Sequence, residues 1–182
     1  MIDPYGGQKD LADRQLRHVS DAFTEDPLRI LRLAQFQARL KGHGFMVHDQ
    51  TTQLCREMVA RGDLDTLSRE RVFKELEKAL SAPHPSEFFA VLASVNALTL
   101  IFQGVELAKT KNLDGPATNT PPASRFSQLV LENPDLDLQA LNKQLAIPKA
   151  WLELATMTRT WAEAFCQVTT LNADAILAAL ER

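Results

Sequence analysis

The stretch EDPLRILR at residues 25–32 places two acids and two arginines beside leucine and isoleucine. Apolar side chains recur at helical spacing beyond it, which predicts an amphipathic helix that begins at Asp21 or Thr24 and ends near Leu40. Pro27 is tolerated because the first turn of a helix has no backbone hydrogen bond to lose. An acid followed after three or four residues by an arginine brings both groups onto one face, so this helix presents an acceptor beside a donor.

Helical spacing of apolar residues continues along most of the chain. Ser68 is a predicted helix cap, and so is Asn172. The apolar stripe of the first long helix is expected to consist of Leu28, Leu31, Phe36 and Leu40. Further helices are predicted at residues 10–15, 49–60, 69–80, 86–94, 125–132, 138–145, 149–166 and 173–180.

The fold class that follows is all-α, an irregular helical bundle. Residues 16–19 could form a strand, but one strand cannot make a sheet unaided, which suggests that its partner sheet lies outside the chain. Residues 114–123 hold a glycine and three prolines without an apolar period, which is typical of a linker. We expect five segments: residues 1–22, 23–80, 81–113, the linker 114–123, and a C-terminal helical segment 124–182.

Composition points to a folded, cytoplasmic protein. The 182 residues are 45% hydrophobic, no apolar run is long enough to cross a membrane, and the start lacks the pattern of a secretion signal. Net charge is −3; residues 1–80 carry 13 basic and 13 acidic side chains, whereas residues 81–182 carry 7 and 10, so any nucleic-acid contact is expected in the N-terminal half, through a local patch. Cys55 and Cys166 fit reduced packing residues better than a disulfide or a metal site.

The charged start of the long helix suits recognition of a nucleobase. A carboxylate only accepts hydrogen bonds and a guanidinium only donates them. Asp26 and Arg29 therefore match cytosine and adenine, which pair an amine donor with a ring-nitrogen acceptor, and a wrong base would cost on the order of 1–3 kcal/mol. Glu25 is placed to hold the Arg29 guanidinium as an ion pair. The same residues also fit the solvated start of an ordinary amphipathic helix, and spacing alone leaves both interpretations open.

Several motifs in order carry a resemblance to a known family. They are DPYGGxxDL at residues 3–11, LRHV at 16–19, AFxEDPLRILR at 22–32, an arginine at 39 followed by GF at 44–45, and SxERVxxEL at 68–76. Together they closely resemble the tRNA nucleotidyltransferases, specifically the bacterial-type CCA-adding enzymes and their poly(A) polymerase relatives, over about residues 2–95.

The resemblance implies that Asp26 and Arg29 act as an amino-acid template that selects incoming CTP and then ATP, with Glu25 orienting Arg29. This chain has Gln35 where arginine is usual in the family, so no phosphate or ion-pair role is carried over to that position. The template pair is unaffected by that difference.

The resemblance also implies supporting roles. Gly6 and Gly7 would belong to a flexible link between a catalytic head and the neck. Arg71 and Glu75 would brace the base-reading helix, and Arg32 would contact phosphate or support the structure.

The family's catalytic motifs are missing from the sequence. Its chemistry uses a Gly-Ser turn and an Asp-x-Asp pair that holds two Mg²⁺ ions. The Asp-x-Asp sequences at 63–65 and 135–137 fit turn and capping acids instead. His48 precedes Asp49 at a helix start, where Asp49 is the predicted cap, so no metal site is expected in this chain.

We therefore expect the chain to be a short remnant of the head plus the neck and body, and to be catalytically inert alone. The intact enzyme would use Mg²⁺, CTP and ATP to add CCA to tRNA, with the acceptor end, the elbow of the tRNA and the missing head as partners and no membrane contact. A poly(A) polymerase shares the same neck and is one alternative. A helical interaction or RNA-binding module without nucleotide activity is the other.

Overall fold

The computed structural model describes residues 3–115 and 120–168, and helices dominate it, which confirms the predicted all-α class. The described strands are short: β1 (Gln15–Leu16) and β2 (Met46–Val47). The described 3-10 helices lie at Asp21–Glu25, Lys41–His43, Asp63–Thr66 and Leu107–Leu113. The described α-helices are α1 (Gly7–Ala12), α2 (Leu28–Leu40), α3 (Asp49–Ala60), α4 (Arg69–Leu80), α5 (Pro85–Ser94), α6 (Leu98–Ile101), α7 (Pro122–Glu132), α8 (Leu138–Leu145) and α9 (Lys149–Val168).

The predicted strand finds its partner inside the chain. β1 and β2 pair in parallel, with Gln15 opposite Met46 and Leu16 opposite Val47, and the His48 amide donates to the Leu16 carbonyl at 3.1 Å. Parallel strands need a crossover connection, and α2 supplies it. The expectation of an absent partner sheet is therefore wrong, because a strand of two residues is too short to show an alternating pattern.

α2 is the central helix and packs against both α4 and α5. Leu28 and Leu31 are buried as predicted, but Phe36 is 42% exposed and Leu40 only half-buried. Because two helices cover α2, its buried arc is broad and turned away from Phe36, so that even Gln35 is buried. The buried residues of α2 are Leu28, Ile30, Leu31, Leu33, Ala34, Gln35, Gln37 and Ala38.

One connected set of buried apolar side chains runs from Ile30 to Ala155. Phe88, Phe89 and Phe102 meet edge to face with ring centroids 5.3–5.9 Å apart, a geometry that aromatic rings favour.

α9 is fixed on this core through Trp151. Its ring lies 5.1 Å from that of Phe73 on α4 and 5.7 Å from that of Phe126 on α7. A single aromatic side chain therefore ties the last described helix to two others.

Several predicted helices match the structure residue for residue, namely α3, α4 and α8. Ser68 caps α4 as predicted, since its Oγ accepts from the Arg71 amide at 3.4 Å. The predicted helix at 173–180, its cap Asn172 and the Cys166 side chain lie outside the described residues. In the stretches that the structure describes, no helix combines the length and apolar character needed to cross a bilayer.

Arg125 anchors α7 to the end of α4. Its guanidinium is buried and donates to the carbonyls of Leu80, at 2.8 Å, and Ala82. Burial lowers the pKa of Arg125, and the nearby charge of Asp114 acts in the opposite direction. These hydrogen bonds satisfy the carbonyls at the C-terminal end of α4, which otherwise lack partners.

We predict that Arg125→Met lowers the free energy of unfolding by about 2–3 kcal/mol, because buried carbonyls lose a charged donor. Urea denaturation followed by circular dichroism measures this. The control Arg61→Met removes an arginine that is half-exposed and, among the described residues, forms an ion pair with Asp63, and it should change stability by about 0.5 kcal/mol or less. Equal stability of Arg125→Met and the wild type would contradict the anchoring role.

Candidate functional site

The helix predicted from Asp21 is interrupted before α2. Residues Asp21–Glu25 form a 3-10 helix, and Asp26 is extended, with φ −132° and ψ 104°. A residue before proline is disfavoured in the helical region, so Pro27 forces this break. The Asp26 carboxylate consequently folds back, and its Oδ1 accepts from the Leu28 amide at 3.1 Å at the start of α2.

The second oxygen of Asp26 joins two helices. Arg71 Nη2, in the first turn of α4, donates to Asp26 Oδ2 at 2.7 Å. The side chains are 31% and 49% exposed for Asp26 and Arg71, so this is a surface ion pair of modest strength. Arg71 thus braces the start of α2, through the carboxylate assigned to base reading.

The surroundings of Asp26 favour its charged form. Burial alone would raise its pKa, but the hydrogen bonds from Leu28 and Arg71, together with the charges of Arg71 and Arg29, outweigh this and hold the pKa below its usual range. Asp26 is therefore a carboxylate, an acceptor only, at neutral pH.

Arg29 is held by the backbone. Its Nη1 donates to the Ala22 carbonyl in the 3-10 helix. Glu25 is exposed, and none of the ion pairs among the described residues joins it to Arg29. The expected Glu25–Arg29 ion pair is thus replaced by a carbonyl one turn further back, because the break at Asp26 changes the helical spacing between them.

A groove of about 680 Å³ lies beside this junction, between the N-terminal residues, β1 and α2. Arg29 and Arg32 line it, and Asp26 is not among its lining residues. Its walls are mainly apolar, formed by Leu11, Leu16, Val19, Ala22, Phe23, Leu33, Phe36, Leu40 and Phe45. We call it the α2–β1 groove.

His18 also lines this groove and was not assigned a role from the sequence. The buried Thr51 hydroxyl accepts from the His18 amide at 3.0 Å and lies 2.8 Å from His18 Nδ1. One proton lies between the hydroxyl and Nδ1, and the direction of this hydrogen bond follows the tautomer of the imidazole. The LRHV motif contained this histidine, but its partner lies 33 residues away and could not be read from the sequence.

The other predicted residues lie as follows. Arg32 is exposed on α2, and Glu75 is buried and accepts from Lys78 Nζ at 2.7 Å. Gly6 has φ 71°, a left-handed conformation that favours glycine. Gly7 opens α1, where its amide donates to Asp3 Oδ1 at 2.9 Å. A flexible link at these glycines stays a prediction.

One acid of each Asp-x-Asp sequence has a structural role. Asp63 pairs with Arg61 at 2.8 Å, and Asp137 caps α8 by accepting from the Gln139 and Ala140 amides. The cap of α3 is His48, whose Nδ1 accepts from the Gln50 amide at 3.2 Å, and not Asp49 as expected.

Within residues 3–115 and 120–168, no three His, Cys, Asp or Glu side chains are grouped to hold a metal ion. The described residues therefore do not fit the Mg²⁺ site that the resemblance implies for the intact enzyme. No step of a reaction can be assigned to a metal on these residues.

Comparison with known proteins supports a single class. A family model described as "Probable RNA and SrmB- binding site of polymerase A" matches residues 44–108. The "Multifunctional CCA protein" of Pseudomonas putida is 38% identical over 185 residues, which cover all of this chain and 50% of that protein.

Solved structures share the helical fold. One is the Thermotoga maritima CCA-adding enzyme complexed with tRNA, with a TM-score of 0.66 and 19% identity over 93% of this chain and 44% of that one. Another is a CCA-adding enzyme with CTP, with a TM-score of 0.65 and 19% identity over 92% of this chain and 43% of that one. At such identity these structures establish the fold alone.

The described residues therefore share the fold of the helical portion of these relatives. The chain belongs to the CCA-adding enzyme and poly(A) polymerase family, and it spans about half the length of the relatives that it matches from end to end.

The Asp26–Arg71 pair gives a prediction with a pH signature. Asp26→Asn keeps an oxygen for the Leu28 amide but loses the ion pair, which should cost about 0.5–1 kcal/mol of unfolding free energy. Since the folded-state pKa of Asp26 is lowered, this contribution is present above the unfolded pKa of about 3.9 and is lost as the pH falls through the folded pKa.

Urea denaturation at pH 7 and at pH 3 measures the effect. The difference between wild type and Asp26→Asn should be largest at pH 7 and shrink at pH 3. The matched control Asp63→Asn removes the ion pair with Arg61, whose partners are only two residues apart in the sequence. It should change stability by about 0.5 kcal/mol or less at pH 7. A loss in Asp26→Asn that is independent of pH would contradict the charge-based account.

Proposed function

We propose that this chain is the neck and body of a template-independent RNA nucleotidyltransferase whose intact form adds C and A to the 3′ end of tRNA. In this proposal, Asp26 and Arg29 read the base of the incoming CTP or ATP. The likeness to the Pseudomonas putida CCA protein along the whole chain supports it most directly. The relatives solved with tRNA and with CTP agree with these partners.

The hydrogen-bonding capacity of Asp26 leaves room for a base. A carboxylate has about four acceptor sites, and the Leu28 amide and Arg71 occupy two of them. Its lowered pKa keeps it an acceptor near neutral pH. It can therefore accept from the exocyclic amine of cytosine or adenine while α2 and α4 stay joined.

Arg29 supplies the complementary donor. Only one of its five N–H groups is used by the Ala22 carbonyl in the hydrogen bonds of the described residues. Its side chain lies on the α2–β1 groove, whose volume of about 680 Å³ falls within the usual range for small-molecule sites, about 300–1,000 Å³. Glu25, exposed one residue before Asp26, would act on Arg29 through charge and not through a direct bond.

The chemistry itself belongs to the other half of the intact enzyme. Mg²⁺, when bound, would activate the 3′-hydroxyl of the RNA and stabilise the leaving pyrophosphate there. This chain would contribute base selection through residues 23–80, and residues 81–182 would grip the tRNA. On its own it should incorporate no nucleotide.

A poly(A) polymerase is the second candidate, because the description of the family model that matches residues 44–108 names polymerase A. Such an enzyme would incorporate A without C. The two candidates therefore differ in one measurable property, the use of CTP.

To test the proposal, the half of the Pseudomonas putida relative that this chain does not match is fused to this chain. Incorporation from each of the four nucleoside triphosphates is then measured on tRNA that lacks its 3′ CCA. We expect incorporation of C and A but not of U or G. Incorporation of A alone would support the poly(A) polymerase, and efficient use of all four would contradict base reading by Asp26 and Arg29.

Arg29→Ala in this fusion should relax base choice by about 5- to 150-fold, the equivalent of about 1–3 kcal/mol, and change the apparent affinity for the triphosphate less. Arg61→Ala, which removes an arginine distant in sequence and paired with Asp63, is the matched control and should leave base choice unchanged. Wild-type fidelity in a folded Arg29→Ala fusion would show that the base-reading assignment is wrong.

A further inference from the structure

The exposed face of α2 has an unusual composition. At about 100° per residue, Arg29, Arg32, Phe36 and Arg39 fall within an arc of about 80°, opposite the residues that contact α4 and α5. Three guanidinium groups and one phenyl ring thus share one face of a helix, and the aromatic side chain is 42% exposed. Leaving a ring of this size in water costs up to about 1.5–3 kcal/mol relative to burying it.

Phe36 stands on a ridge between two grooves. One is the α2–β1 groove, and the other is a groove of about 790 Å³ between α2 and α4, the α2–α4 groove. Arg32 and Phe36 line both, and Arg39 lines only the second. Arg32 and Phe36 are thus shared by the two grooves, so an extended polymer that follows both would pass these two side chains.

The charges of the α2–α4 groove favour an anion. Arg32 and Arg39 take part in none of the ion pairs or side-chain hydrogen bonds found within residues 3–115 and 120–168. Among the acids of this groove, Glu75 is buried and forms an ion pair with Lys78. The two arginines therefore face a single further acid of the lining, Glu77.

We propose that a single strand of RNA crosses α2 at this ridge, with one base stacked on Phe36 and its flanking phosphates bound by Arg32 and Arg39. Aromatic rings and arginines in this arrangement are the usual means of binding single-stranded nucleic acid. The α4 wall of the groove lies within residues 44–108, the stretch matched by the RNA-binding family model. The direction of the strand, with its 3′ end towards Arg29, rests on the proposed function.

Fluorescence anisotropy of the full 182-residue chain with a labelled single-stranded RNA of 12 nucleotides ending in CC tests this. Phe36→Ala should weaken binding by about 5- to 150-fold, as expected for the loss of one stacked base, without changing the salt dependence. Phe36→Trp, which keeps an aromatic face, should restore it. The control Leu100→Ala truncates another exposed apolar side chain, 58% exposed, and should have no effect.

The arginines should show the opposite signature. The double variant Arg32→Gln/Arg39→Gln should reduce the slope of log affinity against log salt by about 1.4, since each phosphate contact with a single strand contributes about 0.7. The control Arg56→Gln/Arg61→Gln removes two arginines outside both grooves and should leave the slope unchanged.

Wild-type RNA affinity in Phe36→Ala, or no RNA binding by the chain at low salt, would overturn the inference. If Phe36→Ala instead destabilises the fusion enzyme without weakening RNA binding by the chain, Phe36 contacts the other half of the protein and the inference also fails. In each of these cases the wild-type fusion would still select C and A if the proposed function is right. A fusion that selects no base, with RNA binding still dependent on Phe36, would reject base reading and keep the RNA surface.

Discussion

The burial of α2 between α4 and α5 is the constraint on which the rest of the structure depends. Two covering helices take up more than half of the circumference of α2, and even Gln35 and Gln37 are enclosed. What remains in solvent is one narrow face, and it carries Arg29, Arg32, Phe36 and Arg39. The packing of the core thus decides which side chains are available for recognition, and both grooves lie along this face.

The start of α2 is controlled by a second local effect. Pro27 keeps Asp26 extended, and the carboxylate then satisfies the Leu28 amide on one side and Arg71 on the other. One acidic side chain therefore caps a helix, joins it to α4 and remains ionised because of these contacts. An acceptor fixed in this way loses little freedom when a ligand binds, which is the benefit of pre-organisation.

Much of the fold could be predicted from the sequence, because periodicity and capping are local properties. The bounds of α3, α4 and α8 followed from apolar spacing together with nearby glycine, serine and proline residues. The β1–β2 pair could not be predicted, since two residues carry no period and their pairing spans a crossover. The exposure of Phe36 was missed because a single helical pattern does not reveal how many neighbours will cover the helix.

For the candidate site, the sequence predicted residues but not their contacts. The motifs identified Asp26, Arg29 and Arg71, but the partner of Arg29 depends on a break in the helix and turned out to be the Ala22 carbonyl and not Glu25. His18 was missed, since only its contact with Thr51, distant in sequence, directs its ring. Local sequence motifs predicted which residues belong to the candidate site. Their hydrogen-bond partners depend on the local backbone and on contacts distant in sequence, which the motifs do not reveal.

The most direct test of base reading is to follow the guanidinium of Arg29 itself. Nitrogen-15 NMR of the Arg29 side chain, assigned with an Arg29→Lys variant, can be recorded during titration with CTP, ATP, UTP and GTP. The account predicts that CTP and ATP shift this resonance and that UTP and GTP leave it near its starting position. Equal shifts with all four nucleotides, or none with CTP and ATP at saturation, would contradict it.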